Sequence, residues 1–240
     1  MRNREDDEID ALTPELLLGA YSQGIFPMGE EDSDDVYWYR PDPRAVFPLE
    51  EFRVPRRLAR TMRQGRLAGE PYRVSFNEAF GAVMRGCAED RPIWITDRML
   101  NAYTELHRIG HAHSVEVWLG ERLVGGVYGV QLGAAFMAES KFHRVTDASK
   151  VALASLVARL RERGFDILEV QYLTEHLESL GAREIPLATY LRKLRRALKR
   201  SPEFASHQGE TSSDSASPTI PDRSADGSAG GEPSGTDRSE

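Results

Sequence analysis

The chain has 240 residues, one cysteine and a formal net charge of −7, enough length for one large or two small domains and no internal disulfide. No run of about 18 apolar residues occurs, so no membrane-spanning helix and no membrane partner are expected, and the charged start from Met1 to Glu8 is unlike a secretory signal. The charge is uneven: residues 1–35 carry −9 and residues 201–240 carry −6, which leaves +8 for residues 36–200, a basic middle suited to a polyanion.

In chain order, residues 1–10 read as a charged tail. The first helix is expected after Thr13 as cap, with Pro14 in its first turn and Gly24 just past its end. The chain after Gly24, through Val36 to Arg44 with two prolines around Asp42, reads as a loop region, and a short helix follows Pro55. Residues 11–71 form the expected N-terminal domain. A second domain, 72–200, opens with a strand from Tyr72 to Phe76, a helix from Asn77 to Ala88 and a helix from Asp97 to Ile109. Three hairpin-connected strands come next, Ser114 to Leu119, Leu123 to Gln131 and Ala134 to Glu139, with Gly120-Glu121 and Leu132-Gly133 as turns. A long amphipathic helix from Asp147 to Arg163 leads to a strand from Ile167 to Tyr172, a helix from Thr174 to Leu180 and a basic helix from Ala188 to Lys199. Residues 201–240 are Ser, Gly, Pro and acids with almost no large apolar side chains, and are expected to be a disordered acidic tail. The fold class is therefore α+β: a small N-terminal domain and a C-terminal domain whose antiparallel meander, helix, strand and helix follow the order of GNAT-like acyltransferases. That analogy sets no function.

Two strands end in polar clusters, Glu139-Ser140 on one and Glu169 with Gln171 on the other. Carboxylates and amides are rare among apolar strand residues unless needed, and two residues apart on a strand face one side. Set side by side, these groups would form a site for proton handling and carbonyl orientation. Arg53, Arg56, Arg57, Arg60, Arg63 and Arg66 are six arginines in fourteen residues with no acid between them. Like charges four apart destabilise a lone helix, so an anion is expected opposite: phosphates, or the acidic N-terminal stretch of the same chain. His107, His111 and His113 are broken by Gly110 and lack a completing ligand, so no metal is expected. Cys87 reads as a buried small hydrophobe, and Gly125-Gly126 as a bulge or a close backbone approach.

Several blocks, kept in order and spacing from Leu16 to Tyr190, resemble the leucyl/phenylalanyl-tRNA–protein transferase family. They are Ala20-Tyr-Ser-Gln-Gly-Ile-Phe-Pro27, Trp38-Tyr-Arg-Pro-Asp-Pro-Arg-Ala-Val46, Trp94-Ile-Thr96, Leu106 to Trp118, Leu123 to Val130, Glu139-Ser140, Asp147 to Leu153, Gln171 and His176 to Ala182. The resemblance implies transfer of leucine or phenylalanine (methionine as a further candidate) from aminoacyl-tRNA to proteins beginning with Arg or Lys, marking them for N-degron degradation. The expectation is a monomeric enzyme without cofactor in the cytoplasm, whose reducing conditions suit a lone cysteine.

By the same resemblance, Gln171 orients or deprotonates the acceptor amine, Glu169 polarises Gln171, and Glu139 holds the incoming ammonium or the cationic side chain behind it. Val127, Phe136 and Leu156, with Ser140 and Lys141, would line the aminoacyl pocket. Trp94 and one aromatic of the Trp38-Tyr39 pair, Tyr39 by alignment, would stand around the terminal adenosine; on their charge pattern rather than the resemblance, Arg53, Arg56, Arg57, Arg60 and Arg63 are read as contacts to tRNA phosphates. The family more often has Asp at position 169 and Met at position 141. A CoA-dependent N-acetyltransferase of the same fold is disfavoured because Ser140 to Asp147 holds no glycine for a pyrophosphate cradle. A non-catalytic tRNA-binding module would not require Glu139, Glu169 and Gln171.

Overall fold

The computed structural model describes residues 12–30, 33–89 and 95–205. Thr13 accepts the Leu16 N–H through its hydroxyl and Pro14 fills the first turn, so helix α1 (Pro14–Ser22) starts at the expected cap. The stretch read as a loop is instead a hairpin, β1 (Phe26–Glu30) with β2 (Ser33–Tyr39). Pro27 and Gly29 give β1 no strand signal of its own; pairing Phe26 with Tyr39 and Met28 with Tyr37 makes it one.

Strand β3 (Arg44–Phe47), a 3₁₀ turn at Leu49–Glu51 and helix α2 (Arg56–Gln64) follow. Next come β4 (Arg66–Leu67), β5 (Glu70–Phe76), α3 (Phe80–Glu89) and α4 (Asp97–Arg108). The meander is β6 (Ala112–Leu119), β7 (Arg122–Leu132) and β8 (Ala135–His143). Helix α5 (Ala148–Glu162), β9 (Ile167–Glu169), α6 (Glu175–Ser179), β10 (Arg183–Ile185) and α7 (Leu187–Ala197) complete the described elements.

The main sheet has the order β10-β3-β9-β8-β7-β6-β5-β4 and is mixed: β8 and β9 run parallel, all other neighbours antiparallel. Strand β3 belongs to residues 11–71 yet lies between β9 and β10, so the sheet draws strands from both sides of position 71/72. Strand alternation sends Val115, Val117, Val127 and Phe136 to one face, under α5 and α2. Tyr128, Val130 and Met137 go to the other, under α1, α3, α4 and α7. The close approach at Gly125-Gly126 is made by the protein's own helices: a Cβ on Gly125 would lie 2.7 Å from Ala148 of α5, and one on Gly126 3.0 Å from Val83 of α3.

Two features position the site. Strands β8 and β9 pair only from Ala135 with Ile167 to Met137 with Glu169, while β8 continues along β7 to His143. Beyond those residues the sheet parts. At the same level Glu139 is the extra residue of a bulge, since Tyr128 faces Ser140 and Gly129 faces Ala138. The strand expected to reach Tyr172 stops at Glu169, because Gln171 adopts a left-handed φ of 57°.

The expected tail boundary at 201 is corrected by Phe204, which is 1% exposed. Its ring stacks on Phe136 (5.4 Å) and His113 (4.5 Å), and Gln131 donates to the Pro202 carbonyl at 2.7 Å. The remaining tail, 206–240, and the N-terminal tail, 1–10, lie outside the described residues.

Candidate active site

Where β8 and β9 part, a cavity of about 370 Å³ opens. Glu139, Ser140 and Lys141 line it from β8, and Val170, Gln171 and Tyr172 from the segment after β9. Phe26, Pro27 and Met28 of the hairpin, with Thr174, His176 and Leu177 at α6, close it, and Val127, Ala138 and Leu153 supply more of its apolar wall. Ligands gather at carboxyl ends of parallel strands for this reason: backbone groups are freed and side chains converge there.

The polar centre is a connected chain. Gln171 Nε2 donates to Glu139 Oε1 at 3.1 Å, and the Gln171 backbone N–H donates to Glu169 Oε1 at 2.6 Å. Arg44 Nε lies 3.2 Å from that same Glu169 oxygen, with both side chains almost fully buried. The expected contacts are thus rearranged. Glu169 reaches the Gln171 backbone rather than its amide, and Glu139 meets the amide, because the left-handed turn at Gln171 breaks the two-residue alternation that would have placed Glu169 and Gln171 alike.

Glu139 is partly open to the cavity. Burial pushes its carboxyl up to about 8, and the Glu169 charge adds to this, while the Tyr21 hydroxyl, Arg44 and Tyr103 pull it down. Tyr21 and Tyr103 share a hydroxyl–hydroxyl bond of 2.5 Å. Both phenols face the Glu139 carboxylate, and burial followed by that charge raises each of them. Burial raises Glu169 to about 7 against Arg44 and the Gln171 N–H. His176 is lowered by burial, then by Lys141 and Lys150.

The other expected site residues divide. Val127, Ser140 and Lys141 line the cavity, whereas Phe136 and Leu156 do not; both lie in the core, with Phe136 two residues before Ala138 on its strand face and covered by Phe204. Tyr39 stacks on Phe26 at the cavity edge (6.2 Å, 25°), and Trp38, opposite Pro27, is 40% exposed. Trp94 lies outside the described residues. Arg53, Arg56, Arg57, Arg60 and Arg63 are all exposed; Leu58 and Met62 anchor α2, and Arg53 precedes it. Arg57 sits 3.8 Å from Asp147, which also pairs with Lys150 at 2.8 Å. Six further cations, Arg192, Lys193, Arg195, Arg196, Lys199 and Arg200, are exposed on or just after α7. Among the described residues no group of His, Cys, Asp and Glu could hold a metal, and no helix is long and apolar enough to cross a membrane.

Sequence reasoning assigned no role to Arg44, Tyr21, Tyr103 or His176. A signal existed for Arg44, an arginine opening a run of apolar strand residues whose four members are all buried.

Residues 46–195 match the family model described as leucyl/phenylalanyl-tRNA protein transferase, and residues 10–42 match that of its N-terminal domain. The chain belongs to the leucyl/phenylalanyl-tRNA–protein transferase family. Relatives carrying that name include one from Ruegeria pomeroyi, 53% identical over 81% of this chain and 91% of its own. Another, from Salinibacter ruber, is 48% identical over 81% and 84%, and one from Gloeobacter violaceus 49% over 78% and 94%. Among solved structures, the C-terminal domain of a putative lysylphosphatidylglycerol synthetase from Agrobacterium fabrum aligns with 12% identity and TM-score 0.36, over 76% of this chain and 62% of that one. The fold description of this transferase therefore rests on its own strand order. The two family matches meet between residues 42 and 46, at the entry to β3.

Proposed function

We propose that the chain moves leucine or phenylalanine from aminoacyl-tRNA to the N-terminal Arg or Lys of acceptor proteins. Family membership makes it an aminoacyl-tRNA–protein transferase. The observation that carries the active-site reading is that Glu139 and Gln171 face one cavity whose remaining wall is mainly apolar. Leucine and phenylalanine side chains need such a wall, and Val127, Val170, Leu153 and Leu177 offer it.

The reaction joins the acceptor nitrogen to the ester carbonyl carbon, releases the ribose oxygen, and moves one proton from the amine to that oxygen. The ester is already activated, so no covalent enzyme intermediate is required, and positioning alone can lower the barrier by roughly 7–11 kcal/mol. With Gln171 Nε2 committed to Glu139, the amide oxygen is left to accept an N–H of the incoming amine. An amide is too weak a base to take the proton. Glu139, held near 8, matches an α-amine of about 8 and serves as proton acceptor. Its charge also suits a cationic acceptor. Lys141 contributes its stem to the wall and its charge to the His176 side.

The exposed arginines of α2 are the proposed phosphate contacts, and Tyr39 beside Phe26 the proposed stacking platform for the terminal adenosine. Further parts of the same reading are a GNAT-like C-terminal domain with a parting sheet, a monomeric cytoplasmic enzyme, and a product destined for N-degron degradation. Purified protein mixed with leucyl-tRNA and an Arg-starting peptide should yield Leu-peptide without CoA. Failure with every hydrophobic aminoacyl-tRNA, tested against peptides starting with Arg, Lys, Asp and Glu, would refute it.

A further inference from the structure

We propose that Arg44 is a positioning residue for the transfer reaction: through Glu169 it holds Gln171 in the backbone turn that presents its amide to the cavity. The proposal rests on the reading of Gln171 given above.

Arg44 opens β3, is 1% exposed, and touches neither the cavity nor solvent. Its guanidinium is held on several sides. Nη2 donates to the Gly24 carbonyl, and the guanidinium carbon lies 4.9 Å from the centroids of both the Phe26 and Tyr190 rings. Nε lies 3.2 Å from Glu169 Oε1, an ion pair in which the N–H is not aimed at the oxygen, and Nη1 has no hydrogen-bond partner among the described residues.

What distinguishes this pair from a plain buried ion pair is the use of one oxygen twice. Glu169 Oε1, beside Arg44, also accepts the Gln171 backbone N–H at 2.6 Å. Gln171 needs such a restraint, because φ of 57° is a left-handed conformation that residues other than Gly, Asn and Asp rarely adopt. Its amide then reaches Glu139 across the gap between the strands. Displacing the guanidinium shifts Oε1, releases the backbone N–H, and lets Gln171 relax toward the extended conformation that β9 would otherwise continue. Gly24 follows Tyr21 by three residues, so the same guanidinium also ties down the segment that delivers the phenol to Glu139.

Arg44→Met and Arg44→Lys are made in the full chain and compared with Gln171→Ala below their unfolding temperatures. The Gln171 side-chain amide is followed by ¹⁵N NMR, and kcat and KM with leucyl-tRNA and an Arg-starting peptide are measured alongside. Misplacement of a reacting group by an ångström can cost about 100-fold, so Arg44→Met should lower kcat by that order with KM for the tRNA within about threefold. Arg44→Lys should fall between, and the Gln171 amide resonance should shift in both. Should Arg44→Met not fold, the double variant Arg44→Met/Glu169→Gln removes both charges, avoids a lone buried carboxylate, and should show the same loss of kcat. An unmoved Gln171 resonance overturns the proposal, as does a kcat loss explained by a smaller active fraction. If the resonance moves but neither Arg44→Met nor Gln171→Ala lowers kcat, the reading of Gln171 falls and the catalytic half of the proposal falls with it.

Discussion

Tyr21→Phe should shift the pH dependence of transfer upward. The Tyr21 hydroxyl is the largest influence holding the Glu139 carboxyl down against burial, which leaves it at about 8. A hydrogen bond to a charged group contributes about 1.5–3 kcal/mol, and one pKa unit is 1.36 kcal/mol, so its loss should raise Glu139 by about 1–2 units. A proton acceptor must be ionised. At pH 7.5 a group at 8 is about 24% ionised and one at 9 about 3%, so turnover should drop roughly eightfold and recover as pH rises. The amine of the acceptor peptide titrates identically for both enzymes and cancels in their ratio. The assay is single-turnover formation of Leu-peptide from about pH 6 to 9, with ester hydrolysis subtracted at each point. Tyr103→Phe should act in the same direction but less, since the Tyr103 hydroxyl lowers Glu139 less than the Tyr21 hydroxyl does. An unshifted profile, or a loss equal at every pH, would remove Glu139 from proton transfer.

Gln171→Ala should lower kcat far more than tRNA affinity, because its amide faces the cavity while the exposed arginines lie elsewhere; equal losses would deny it a catalytic role. Reversing three charges among Arg56, Arg57, Arg60 and Arg63 should weaken tRNA binding and flatten its salt dependence, whereas an unchanged slope would favour a solvated face. Ending the chain after Ala205 should leave the melting temperature near that of the full protein, but Phe204→Ala should cost about 3–5 kcal/mol, or roughly 6–20 °C at this size. A thermal shift within a degree would show that Phe204 is dispensable. Glu139 and Glu169 bind protons more tightly folded than unfolded, since their folded values of about 8 and about 7 exceed the reference 4.5. Stability should therefore be greatest below about pH 4.5 as far as these two groups decide, and fall as pH rises through 7 to 8. Glu139→Gln should flatten that fall in calorimetry, and an unchanged slope would contradict the raised value.

Local signals located most elements. Thr13-Pro14, the Gly120 and Gly133 turns and the apolar period of 148–162 act over a few residues, so caps, turns and helices form where the sequence places them. Composition also marked Glu139, Glu169 and Gln171, since carboxylates and amides at strand ends are conspicuous without coordinates. The short strands β3 and β10 were not legible, because their pairing energy comes from partners up to 141 residues away, as for Arg44 opposite Ile185; the hairpin β1–β2 was hidden because Pro27 and Gly29 mask the strand pattern of β1.

Sequence by itself determined which chemical groups this protein brings to its site and which family it belongs to, because those depend on residue identity and order. Only the tertiary structure decided how the groups are wired. The left-handed Gln171, the bulge at Glu139 and the buried Arg44 arise where β8 and β9 separate. Whether a carboxylate meets an amide or a backbone N–H there depends on contacts between strands far apart in the chain, and no local propensity encodes that choice.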